Sequence, residues 1–253
     1  MIPISDSVPR RHIPVVTYAI VFANVAVFAF ELTLTPDGIR RFFYLFGIVP
    51  ERFTHPAWAA WVGLPVDDYW PFFTSMFIHG GWFHIIMNMW AFWIFGDNVE
   101  DTMGPLRFAA FYVLCGLAAG VTHVLTNAGS QLPTVGASGA IAGVMGAYLF
   151  LFPRAKIVTL VPVFIFPFFF DMPAVLFLVL WFALQFFSGL LSVAEPGAAG
   201  GIAVWAHVGG FATGFVLGPI FAWHRAARRP LQRDEYAAQT AFGHQPHDDG
   251  RRQ

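Results

Sequence analysis

Apolar residues in this chain come in long runs that polar residues interrupt only at intervals. The stretches from Phe108 to Phe152, Met172 to Ala194 and Pro196 to Trp223 contain no Asp, Glu, Lys or Arg. A bilayer core about 30 Å thick takes roughly 20 apolar residues per helix, so runs of this length predict membrane spans. Reading runs against their breakers gives spans at Ile13 to Phe30, Gly81 to Phe95, Leu106 to Leu125, Ser138 to Phe152, Ala174 to Leu191 and Ala203 to Trp223. The predicted fold is an all-α membrane protein, a six-transmembrane-helix bundle with a long external first loop from Glu31 to Gly80. In that loop Trp58, Trp61, Tyr69 and Trp70 are mixed with charged residues, which predicts a segment lying in the headgroup layer. Residues Ile157 to Phe170 are apolar but broken by Pro162 and Pro167, and are read as an interfacial connection. The chain then divides into a cytoplasmic N-terminus (1–12), a six-span domain (13–223) and a polar, disordered cytoplasmic tail (224–253).

Composition agrees with this pattern: 57% of residues are hydrophobic and 11% charged, with a mean hydropathy of +0.61, outside the usual range of soluble domains. The basic residues orient the bundle. Arg10 and Arg11 precede the first span, Arg154 and Lys156 follow the fourth, and Arg225, Arg228 and Arg229 follow the sixth. With six spans all three groups fall on one side, and the positive-inside rule makes it cytoplasmic, with both termini there. The run after Arg11 lacks a small-residue cleavage site and is read as a retained anchor. A prokaryotic cytoplasmic membrane is the expected location. A net charge of -1 excludes a nucleic-acid partner of the basic-stripe kind. Cys115 is the only cysteine, so no intrachain disulfide and no CxxC metal site can form, and there is no HExxH element. No metal or cofactor is expected.

Polar residues inside spans are costly, and each is a functional candidate. They are Asn24, His84, Asn88, His123, Ser138, Gln185 and His207. Span four, at about 1.5 Å per residue, is ~22 Å long, short of the ~30 Å core, which puts Ser138 below the outer surface. His207 and His84 each lie about one turn below the start of their spans and Asn88 about two, so these side chains share one depth on the external side. A serine hydroxyl needs an imidazole to take its proton, and Ser138 with His207 supplies that pair. No carboxylate lies in the spans, which predicts a dyad. His84 and Asn88, spaced i, i+4, share a helix face and can donate to an oxyanion together with the N–H of Ser138 at its helix N-terminus. His123, Asn24 and Gln185 are read as structural, and His79 as a loop edge. Gly139 with Gly143, and Gly210 with Gly214, form small-residue steps for close helix approach.

These residues resemble the rhomboid family of intramembrane serine proteases. Gly136-Ala137-Ser138-Gly139 is similar to its GxSG element, Ala206 to Gly214 to its AHxxGxxxG element, and His84 to Asn88 to its HxxxN element. The resemblance implies a Ser138–His207 dyad, an oxyanion hole including His84 and Asn88, and single-span membrane proteins as substrates. It also implies that span five, Ala174 to Leu191, is a lateral gate and that residues 195–201 form a cap. The Trp-Arg pair of some relatives is absent from the first loop, where Arg52 with Phe53, or Trp58 with Trp61, stand as replacements. Two other classes compete: a client-binding, non-cleaving relative, which usually lacks the Ser or His, and a channel or transporter, which should carry inverted repeats.

Overall fold

The computed structural model describes residues 1–163, 166–194 and 204–223. In chain order it contains strand β1 (Ile2–Asp6), helices α1 (Val15–Glu31), α2 (Pro36–Phe46), α3 (Pro50–Thr54), α4 (Pro56–Trp61) and α5 (Pro71–Thr74), a 3-10 turn (Ser75–Phe77), α6 (Trp82–Met103), α7 (Pro105–Thr126), α8 (Ser138–Leu151), strands β2 (Lys156–Val163) and β3 (Phe166–Pro173), α9 (Ala174–Ala194) and α10 (Val204–Phe221). Each of the six apolar runs thus forms a helix. Among the described residues α7 and α10 combine the length and hydropathy of a span, while Val15–Glu31, Ser138–Leu151 and Ala174–Leu190 are shorter apolar helices.

The core is built around α8. All residues from Gly139 to Tyr148 are buried, because small side chains let α10 lie directly against its backbone. A Cβ at Gly214 would run into the carbonyl of Gly143, one at Gly210 into that of Gly139, and one at Gly146 into that of Phe211. The two glycine steps read from the sequence therefore face each other, and no larger residue fits between these helices. Around this axis Phe92 and Phe95 of α6, Phe108, Phe111 and Tyr112 of α7, and Phe177 and Leu178 of α9 are almost fully buried.

Three expectations need correction. The chain is not all-α: β1, β2 and β3 form an antiparallel sheet in that order. Strand β1 pairs from Ile2↔Leu160 to Asp6↔Ile157, with an irregularity between Pro3 and Ser5. Strand β2 pairs with β3 from Lys156↔Pro173 to Val163↔Phe166. The apolar 157–170 stretch is thus mostly a hairpin. Its prolines are tolerated because Pro162↔Pro167 lies beyond the part of β2 that pairs with β1, where a missing N–H breaks no second ladder. The N-terminal stretch before α1 supplies the third strand.

Second, the first loop is largely helical. Arg52 organises it: fully buried, it donates to Pro65 O at 2.8 Å, Leu45 O at 3.2 Å and Asp68 Oδ2 at 2.8 Å, with its guanidinium carbon 5.6 Å from the Phe53 ring centre. Trp61, by contrast, is 83% exposed.

Third, α6 continues past Phe95 to Met103 and carries three carboxylates with it. Glu100 accepts from the Val16 N–H at 2.9 Å, the Thr17 N–H at 2.7 Å and the Thr17 hydroxyl at 2.8 Å, and so caps α1, whose own N-cap residue Pro14 has no side chain that can do so. Asp101 accepts from the Arg11 N–H at 2.9 Å and pairs with His12 Nδ1 at 2.6 Å. A charge-based span boundary missed this because these charges have partners. The 195–201 cap and the tail expected from residue 224 onward lie outside the described residues.

Candidate active site

Helix α8 starts abruptly at Ser138. The preceding Gly136 has φ +132°, a conformation that favours glycine, and donates its N–H to Ser75 O at 2.8 Å. Ala137, the N-cap, offers no side-chain acceptor, and the first N–H groups of any α-helix lack intrahelical partners, so the Ser138 end of α8 presents donors.

Facing it, one turn into α10, is His207. Its Nε2 lies 2.7 Å from Ser138 Oγ. On the other side of the ring Nδ1 lies 2.9 Å from Gln185 Oε1 on α9, and the Trp181 ring sits with its centre 6.0 Å away. A hydroxyl donating to Nε2 requires that nitrogen to be bare, and the proton then belongs on Nδ1, where Gln185 Oε1 can accept it.

His84 comes from α6. The Gly80 N–H points at its Nδ1 over a long 3.4 Å; an N–H can only donate, so the ring proton belongs on Nε2. That nitrogen borders Gly136, where an added Cβ would sit 2.8 Å from His84 Nε2 and 3.6 Å from Ser138 Oγ. Glycine is required there both for its φ and for this space. Asn88, one turn further along α6, is buried, and its Nδ2 has no hydrogen-bond partner among the described residues. A buried amide without an acceptor costs free energy, about 1–3 kcal/mol, and is the kind of exception that calls for an explanation at a reactive site. The structure therefore brings Ser138, His207 and His84 together around Gly136, and leaves Asn88 buried with a donor to spare.

Behind Ser138 lies a cavity of about 30 Å³, bordered by Ser75, Met76, Gly116, Gly120, His123 and Gly139. It is large enough for one water molecule or a very small side chain. His123, read as structural, is fully buried and bonded through Nε2 to Thr134 Oγ1 at 2.8 Å, with Asn127 Nδ2 3.2 Å from Nδ1. Asn24 donates to Ile20 O at 2.8 Å. His79, read as a loop edge, is instead buried at 1% exposure, its ring edge-on to His84 at 5.0 Å and both ring nitrogens without partners among the described residues. Gln185, also read as structural, has His207 Nδ1 as its partner at 2.9 Å. The signal was available, since an amide within an otherwise apolar run needs a partner, but the identity of that partner was not.

Residues 66–224, more than half of the chain, match the Rhomboid domain. RHOMBOID-like protein 1 of Arabidopsis thaliana is 28% identical over 221 residues, which cover 80% of this chain and 52% of that protein. Rhomboid protein 1, mitochondrial, of Saccharomyces cerevisiae is 35% identical over 97 residues, 37% of this chain and 27% of the relative. Inactive RHOMBOID-like protein 8 of Arabidopsis thaliana is 30% identical over 96 residues, 38% of this chain and 27% of the relative. The matches thus span about half or less of these relatives' length. The chain belongs to the rhomboid family, and with it to the helical, multi-pass membrane proteins.

Proposed function

We propose that this protein is an intramembrane serine endopeptidase that cleaves single-span membrane proteins in or near their membrane segment, with Ser138 as nucleophile and His207 as general base. The observation that carries the reading is the 2.7 Å contact between Ser138 Oγ and His207 Nε2, which is the reach a base needs to take the hydroxyl proton. In the first half-reaction Oγ attacks the scissile carbonyl carbon while its proton passes to Nε2. The oxyanion that forms is met by the Ser138 N–H at the positive end of α8, by His84 Nε2–H and by Asn88 Nδ2–H. Collapse breaks the C–N bond, and the proton on Nε2 goes to the leaving amine. Water then attacks the acyl-enzyme with His207 again as base, and the cavity behind Ser138 can hold that water.

The topology that goes with this reading has six spans and both termini cytoplasmic. Arg11 is tied to the far end of α6 through Asp101, Lys156 accepts from the Ser7 N–H at 2.9 Å and donates its own N–H to Ser7 Oγ at 2.8 Å, and Arg107 reaches Trp223 O at 3.0 Å. These three basic residues lie at the end of the bundle opposite Ser138, in line with the positive-inside rule. A second reading, a non-cleaving rhomboid, is favoured by the likeness to a relative named inactive. The bonded Ser138–His207 pair stands against it. Incubating the purified protein with a serine-directed fluorophosphonate and mapping the adduct separates the two. Modification confined to Ser138 is the expected result, and an unmodified protein that also leaves a single-span substrate intact refutes the peptidase.

A further inference from the structure

We infer that Gln185 is a positioning residue for His207, a third member that makes the pair a Ser–His–Gln relay. The inference rests on the peptidase reading for its consequence in turnover, but its structural content stands on geometry alone. Imidazole has two nitrogens and, when neutral, one proton. Only the form with Nε2 bare can accept from Ser138, and that form needs an acceptor at Nδ1 to be favoured over its alternative. Gln185 Oε1 at 2.9 Å is that acceptor. Among the described residues no carboxylate competes for it: the titratable groups that act on His207 from the packed helices are His84 on α6 and His123 on α7, while α8 contributes the Ser138 hydroxyl and α9 contributes Trp181 and Gln185.

The sequence context of Gln185 argues against a merely tolerated polar residue. Helix α9 reads AVLFLVLWFALQFFSGLLSVA, and its only other polar side chains besides the Trp181 indole N–H are serines. An amide in such a helix is costly unless it is bonded, and here it is bonded to the imidazole. Gln185 lies four residues after Trp181, so both are on one face of α9. The indole ring borders the imidazole while the amide fixes its proton. The alternative tautomer would point a ring N–H at Ser138 Oγ and leave the hydroxyl without a base, so the amide acts on the rate through the base it orients.

The test uses the full-length protein in detergent with Gln185→Leu, which keeps the bulk and removes the acceptor, and Gln185→Glu, which restores an acceptor and adds charge. Ring-nitrogen NMR of His207 is expected to find the proton on Nδ1 in the unaltered protein and spread over both nitrogens in Gln185→Leu. Cleavage of a single-span substrate by Gln185→Leu is expected to fall about 10- to 10²-fold in kcat with little change in KM, as befits loss of general-base efficiency. Gln185→Glu should recover most of that loss and move the acid limb of kcat/KM upward, because a carboxylate favours the imidazolium; a packing role would move neither. An unchanged His207 tautomer in Gln185→Leu, or full turnover by that variant with the original pH profile, overturns the inference. Failure of the peptidase reading looks different: the unaltered protein would show neither labelling nor cleavage, while the tautomer measurement still decides the role of Gln185.

Discussion

The two ends of the helical bundle both bury polar side chains, and they treat them in opposite ways. At the end that holds the sheet, Glu100 is filled by three donors from α1, Asp101 by Arg11 and His12, and Asp6 by the Tyr148 hydroxyl and by Asn98 Nδ2 at 2.8 Å, while Trp90 Nε1 donates to Pro3 O at 2.6 Å. Among the described residues Asn98 Oδ1 is left over there, as is the Tyr112 hydroxyl further along α7. At the Ser138 end a short chain, Ser138–His207–Gln185, is bonded, but Asn88 Nδ2 and both ring nitrogens of His79 are not. Saturated buried networks hold elements in register, whereas on the proposed peptidase reading donors left open near Ser138 await charge that is not yet there. On that reading the contrast separates polar residues that hold the fold from polar residues poised for chemistry.

That contrast can be broken by substitution at either end. The largest effect is expected for Ser138→Ala and His207→Ala, each lowering cleavage of a single-span substrate by at least about 10⁴-fold with melting behaviour preserved. Appreciable turnover in either variant would remove the dyad. Next is Glu100→Ala, which strands two N–H groups and a hydroxyl at the start of α1 and should cost about 2–4 kcal/mol in a denaturation midpoint, while the folded fraction still labels at Ser138. A melt matching the unaltered protein would deny the cap its role. Asn88→Ala should reverse that pattern, lowering kcat about 10²-fold with little loss of stability, since the Asn88 Nδ2 has no hydrogen-bond partner among the described residues. Loss of stability with unchanged kcat would move Asn88 into the structural class.

The smallest effect concerns pH. The Asp6 carboxyl lies well above its ordinary 3.8, first because burial disfavours its charge and then because Asp97 is near. A raised folded pKa means that the stability contributed by protonated Asp6 is complete below the unfolded value and is lost as pH rises through the folded one. Asp6→Asn, neutral throughout, should therefore flatten the decline in stability as pH rises above the ordinary carboxylate value of 3.8. Melts over that range with the same slope in both proteins would show that the strand end does not titrate in this way.

The residues of the candidate site were legible where chemistry and helical rise coincide. Ser138, His207, His84 and Asn88 stood out because each is polar within an apolar run and helical rise puts them at similar depth. The sheet was not legible, because Pro162 and Pro167 read as breakers until their position beyond the β1 ladder is known. The length of α6 was hidden for a related reason, as Glu100 and Asp101 mark a boundary only if they lack the partners that α1 and the N-terminal stretch provide.

Sequence by itself determined that the chain is built from apolar helices, that α8 and α10 can approach at backbone distance through their glycines, and that a hydroxyl and an imidazole share a level. These follow from local properties: hydropathy, rise per residue and side-chain volume. Tertiary structure alone decided that Gln185 holds the far side of His207, that Arg52 anchors the first loop and that residues 2–6 complete a sheet. Each of these is a pairing between distant segments, and a hydrogen bond depends on a few tenths of an ångström that no local pattern encodes.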